Sequence, residues 1–173
     1  AASGDSLATL GGLPYTLPEG VYRLSATTSF IALLGWGLGS YSFDRYKAAS
    51  REPAQLILPD GSDAAELVNT VAAIYLTRDL INTPAQDMAP SHLQAEVEAL
   101  GAAFKANVST VMGDELLNLE CGAIHAVGRA ADDPPRLMDL TWGKADDPKV
   151  TIVGKGVTFD SGGLNLKPAG GMR

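Results

Sequence analysis

The 173-residue chain is predicted to adopt an α/β fold, a mixed, largely parallel sheet flanked by helices. Three observations support this. Two long stretches, 63–82 and 90–107, repeat apolar residues at helical spacing behind recognisable start signals. Short apolar or alternating runs bounded by Gly, Pro and Asp read as strands. The two kinds of segment alternate along the chain, as they do where helices cover a largely parallel or mixed sheet. In open sheets of this kind, active residues lie beyond the carboxyl end of a strand.

Taken in order, residues 1–20 are rich in Gly, Pro, Ser and Thr and read as loop or tail. Residues 27–47 turn apolar and then aromatic, and the spacing fits a helix weakened by the glycines in its middle. Leu56-Ile57-Leu58, followed by Pro59-Asp60-Gly61, fits a brief strand and a turn. Asp63 and Glu66 stand at capping-box spacing, and Leu67, Val71, Ile74 and Ile81 share one face of the helix that follows. That helix is expected to end at Asn82-Thr83-Pro84, because a residue before proline avoids the helical region.

A second helix follows Pro90, with Ser91 and Gln94 as its capping box and Leu93, Val97, Leu100 and Phe104 as its face, stopping near Asn107. Residues 108–112 read as a strand and 113–119 as a short helix. Residues 122–127 fit either a helical turn or a strand, and 132–135 a loop. Arg136 to Trp142 alternates like a strand, and Val150 to Val153 reads as a buried strand.

Composition narrows the function. With 46% apolar and 19% charged residues the chain is globular, not disordered. The net charge of -7 and the lack of any basic run argue against nucleic acid and anionic membranes as partners. The most apolar stretch, Phe30 to Leu38, falls well below the roughly 20 residues of a membrane helix. The start of the chain has no signal-peptide pattern, and the single cysteine, Cys121, fits a reducing compartment. A soluble, cytoplasmic protein is expected.

The chemistry concentrates at the end of the last predicted strand. Gly154-Lys155-Gly156 follows it, Asp160 stands five residues beyond the lysine, and Ser161-Gly162-Gly163 permits tight turns before Lys167. A phosphate loop requires its lysine after the glycines, directly before Ser or Thr, and that order is absent. A dinucleotide fingerprint fails because its third glycine position holds Phe159. The third reading is a metal site, and a family resemblance is what supports it over a surface lysine in a glycine loop.

Here the sequence resembles a known family. The run Val153 to Gly163, with Asn165-Leu166-Lys167 and Gly171-Met172-Arg173, is similar to the signature region of the leucyl (cytosol) aminopeptidases, two-metal exopeptidases. The run Arg78 to Ala85 (RDLINTPA) and the segment Gly35 to Lys47 resemble further parts of the same family. The resemblance implies a metallo-aminopeptidase that releases N-terminal residues, leucine-like ones preferred, from peptides. It implies residues 1–61 as a reduced N-terminal domain, 62–80 as a linking helix and 81–173 as the first part of a catalytic domain. It also implies homo-hexamers, and two divalent ions of which manganese and zinc suit best, with a bicarbonate in the complete enzyme.

Carried over residue by residue, Lys155 is a metal ligand through its amine, Asp160 bridges the two metals, and Lys167 faces the substrate carbonyl as the catalytic cation. An ammonium has no lone pair, so Lys155 can bind only as the neutral amine, which a nearby dication and partial burial both favour. A two-metal site acidifies a bridging water and so makes the nucleophile. A cationic Lys167 at the oxyanion supplies a contribution often worth about 3 kcal/mol.

The family's set includes a further aspartate, an Asp-x-Glu pair and an arginine that holds bicarbonate, all beyond the position of Arg173. One amine and one carboxylate hold two metals poorly. These residues alone are therefore expected to be inactive, with a companion fragment of the same enzyme as partner; an end after arginine in a glycine-rich loop is what a trypsin-like nick leaves. The alternative is a non-catalytic relative serving as a binding or structural subunit. The histidines and the cysteine read as structural: His92 and His125 lie far apart without Cys or Glu partners, and Cys121 suits a small buried filler. Trp36, Tyr41, Phe43 and Tyr46 read as packing at a domain junction.

Overall fold

The computed structural model describes residues 5–26, 28–158 and 170. The chain divides into two units, Ala1–Asn82 and Thr83–Arg173.

In the first unit the expected N-terminal loop contains a short helix, α1 (Leu7–Gly11). The Ser6 N–H donates to Thr9 Oγ1 at 2.9 Å, which starts it. Leu10 is buried, and this burial outweighs the poor intrinsic helicity of so short a glycine-rich segment. Strand β1 (Val21–Arg23) pairs in parallel with β2 (Gln55–Ile57), with Tyr22 opposite Leu56. A parallel pair requires a crossover, and helix α2 (Phe30–Gly39) lies within it. Ser29 caps α2 by accepting from the Ala32 N–H at 3.3 Å, and the Ser29 N–H donates to Asp5 at 2.9 Å.

The glycines of α2 have a packing reason. A Cβ on Gly35 would lie 2.1 Å from the Leu7 carbonyl oxygen, and one on Gly39 would lie 1.9 Å from that of Gly11. The two backbones touch at glycine, and α1 and α2 together bring Leu10, Ala32, Leu33 and Trp36 into one core with Ala54 and Leu67. Arg51 holds the return loop by donating to the carbonyls of Tyr15 (3.1 Å) and Leu17.

Helix α3 (Ala64–Asn82) starts and stops where the sequence indicates. Asp63 Oδ1 accepts from the Glu66 N–H at 3.0 Å, the expected first half of a capping box. Leu67 is buried and Val71 packs on the core, but Ile81 is 76% exposed. The face is continued instead by Tyr75, whose hydroxyl donates to the Gly37 carbonyl, and by Arg78, which donates to that of Leu38 at 2.8 Å. Within this unit α2 ends at Gly39 and leaves Ile81 without cover. The four aromatics form no single cluster. Trp36 is in the core, Tyr41 meets Tyr75 edge-on at 5.0 Å, and Phe43 pairs with Tyr46 at 5.8 Å.

In the second unit a 3-10 turn (Ala85–Asp87) precedes α4 (Pro90–Phe104). The cap is Ala89, not Ser91, because Pro90 occupies the first helical position, which tolerates its missing N–H. His92 Nδ1 reaches back to accept from the Ala89 N–H at 3.1 Å. The helix ends at Phe104, three residues before Asn107, with Lys105 as its cap in the left-handed region (φ 55°), and the Trp142 indole donates to the Phe104 carbonyl at 3.2 Å.

Strand β3 (Asn107–Met112) pairs antiparallel with β4 (Arg136–Thr141), from Asn107 opposite Thr141 to Met112 opposite Arg136. The described ladders are thus mixed, three residue pairs parallel and six antiparallel. Between these strands lie α5 (Glu115–Asn118), which buries Leu116, and α6 (Gly122–Gly128), which resolves the ambiguity at 122–127 as helix.

The expected strand Val150 to Val153 is not formed. These residues have no regular structure, and Ile152 is 91% exposed. A strand is stable only when its N–H and C=O groups pair with a neighbour, and no described strand lies beside this one. Among the described residues no helix is long and apolar enough to cross a membrane.

Candidate metal-binding segment

Of the three site residues expected from the sequence, Lys155 is described, while Asp160 and Lys167 lie outside the described residues. Lys155 sits in the stretch without regular structure after Val153, with glycine on either side, and it is exposed. This corrects the expected partial burial. Its neighbours Val150, Ile152 and Val153 are exposed as well, so no apolar wall surrounds it among the described residues.

Backbone contact places the segment. A Cβ on Gly156 would lie 3.1 Å from Leu93 Cδ2, so the residue after Lys155 rests against the first turns of α4. Those turns are held firmly. The Ser91 N–H donates to Asp133 Oδ2 at 2.8 Å, so the carboxylate supplies from another loop the acceptor that Ala89 lacks. Arg136 donates to Gln94 Oε1, to Asp133 Oδ1 and, at 3.0 Å, to the Pro134 carbonyl. Its side chain is only 7% exposed, so this guanidinium is buried among acceptors. Burial alone would raise the Asp133 pKa, but the Ser91 amide and the Arg136 charge hold it below the ordinary carboxylate value.

Sequence reasoning missed this clamp, since Asp132-Asp133-Pro134-Pro135 reads only as a loop. A usable signal is present: a lone arginine opening a strand shortly after two aspartates. The histidines have local roles. His92 caps α4, and His125 Nε2 meets Asp114 Oδ1 at 2.9 Å, tying α6 to the start of α5. Cys121 is half-buried, not buried, because it occupies the junction before α6, where its thiol donates to the Leu119 carbonyl at 3.5 Å.

The donor chemistry suits a divalent ion in kind: a neutral amine and a carboxylate are ligands for manganese, zinc or cobalt. Among the described residues no group of three His, Cys, Asp or Glu could hold one, so Lys155 is the described member of the expected set.

The described residues thus form an α/β protein of two units. The chain belongs to the cytosol aminopeptidase family: residues 75–173 match its catalytic domain, and residues 1–59 match the M17 aminopeptidase N-terminal domain. It is 33% identical, over 90% of its length, to a probable cytosol aminopeptidase of Geotalea uraniireducens (strain Rf4). It spans 36% of the length of that relative. The cytosol aminopeptidase structure from Coxiella burnetii superposes with a TM-score of 0.86 and 45% identity, over 96% of this chain and 37% of that one. The bottromycin maturation enzyme BotP, solved in complex with Mn, superposes at 0.74 with 31% identity, over 95% and 38%.

Proposed function

We propose that this chain is the front part of a metal-dependent aminopeptidase that removes N-terminal residues, leucine-like ones preferentially, from peptides. The observation that carries the reading is the catalytic-domain match over residues 75–173, the span in which Lys155, Asp160 and Lys167 lie. The manganese in the BotP complex supports a divalent metal here. The cytosolic naming of the relatives supports a cytoplasmic location.

Lys155 and Asp160 would hold the ions, Lys155 through its amine and Asp160 through its carboxylate. When bound, two divalent ions supply Lewis acidity and an activated water. Lys167 would serve as the cation that stabilises the oxyanion developing on the scissile carbonyl. Gly156 lets the backbone lie against Leu93, which fixes where the Lys155 side chain begins. The remaining ligands come from polypeptide corresponding to the rest of the relatives' length, on this chain or a companion, and the family resemblance supports a homo-hexamer with bicarbonate as proton carrier.

The test is leucine p-nitroanilide hydrolysis by polypeptide that spans the relatives' length. Release of nitroaniline that a chelator abolishes and added manganese or zinc restores is the expected result. Hydrolysis unaffected by chelation would contradict the metal role. Inactivity with every metal would favour a binding or structural subunit.

A further inference from the structure

Lys155 is flanked by glycines and exposed, so its own surroundings do not fix its position. The neighbouring contact does so indirectly. Gly156 meets Leu93, Leu93 sits in the first turns of α4, and those turns are joined to the start of β4 through Gln94, Ser91, Asp133 and Arg136. Arg136 opens β4 and reaches both this helix and this loop, and its planar fork fits this three-way arrangement as a lysine would not. We infer that Arg136 is a positioning residue for Lys155, acting through Gln94 and Leu93 to hold the seat on which the Lys155 segment rests. This inference rests on the reading of Lys155 as a metal ligand.

The experiment uses isotopically labelled polypeptide that spans the relatives' length, so that the remaining ligands are present, and two NMR readouts. The first is the nuclear Overhauser contact between the Gly156 α protons and the Leu93 δ methyls. The second is broadening of the Lys155 and Gly156 amide signals on adding manganese. The wild-type chain is expected to show both. Arg136→Gln is expected to lose the Gly156–Leu93 contact and weaken the broadening, while the cross-strand contact between Val108 and Leu140 persists as the sign of an intact ladder.

If Arg136→Gln does not fold, two other variants decide. Gln94→Ala removes the acceptor and should lose the Gly156–Leu93 contact, whereas Gln94→Glu keeps an oxygen for Arg136 and should retain it. Retention of the contact and of full broadening in Arg136→Gln, or an equal result for the two Gln94 variants, would overturn the inference. A wild-type contact that depends on Arg136, with no broadening by manganese, would instead sink the metal reading and leave the seat standing.

Discussion

Replacing Gly35 by alanine sets two effects of opposite sign against each other. In a helix interior, Gly→Ala favours the helix by about 1 kcal/mol. At Gly35 the added methyl carbon would lie 2.1 Å from the Leu7 carbonyl oxygen, about 1.2 Å short of an ordinary carbon–oxygen contact of about 3.3 Å. The obstacle is backbone, so no rotamer change relieves it and α1 must move away. Leu10 then leaves the core, at a cost of up to about 3 kcal/mol. The net expectation is a loss of about 2 kcal/mol.

Urea unfolding followed by tryptophan fluorescence measures this, since Trp36 is 6% exposed in the same core. A Trp142→Phe background removes the other fluorophore, which belongs to the second unit. Gly39→Ala should behave alike, and Gly12→Ala, with open space around its Cβ, should change little. A Gly35→Ala midpoint equal to or above that of the parent would refute the reasoning.

Other expectations concern both units. Leu116→Ala, at a fully buried position, should destabilise the second unit by about 2–5 kcal/mol in the same urea assay read by circular dichroism. Tyr41→Phe removes a hydroxyl that donates to Asp79 at 2.7 Å and accepts from Asn82 at 3.0 Å; a loss of about 1 kcal/mol is expected. Asp133→Asn weakens the clamp, costing roughly 1.5–3 kcal/mol at neutral pH. Because the Asp133 pKa is lowered in the folded state, its contribution is complete above the unfolded carboxylate value of about 3.9 and fades as pH falls through the lower folded value. Midpoints of parent and variant should therefore converge in acid, and a constant difference down to that range would contradict the assignment.

The long helices are legible in the sequence because their apolar period, caps and proline stops are local, and α3 and α4 form as the pattern indicates. Helix α1 is not, since its helicity depends on glycines in α2, distant in sequence, that accept its backbone. The capping of α4 departs from expectation for a related reason. Ser91 matches the local rule, yet Pro90 takes the first helical position and Asp133 supplies the acceptor across a long loop. Val150 to Val153 has the composition of a strand, but a strand is completed by its neighbours, and none of the described strands flanks it. At the site, the spacing of Lys155, Asp160 and Lys167 and the family resemblance single out Lys155. The Arg136 clamp behind it joins residues far apart in sequence, and a one-dimensional pattern carries little trace of such contacts.

The Lys155 amine as a metal ligand is the central claim, and metal binding tests it most directly. Manganese binding should be measured by titration calorimetry on polypeptide spanning the relatives' length, with Lys155 intact and with Lys155→Ala. Two bound ions per chain are expected for the intact protein. The variant should lose one of them, or bind it at least about 100-fold more weakly, since even supporting residues around a metal are worth 10–100-fold. Two ions held with unchanged affinity by Lys155→Ala would contradict the account.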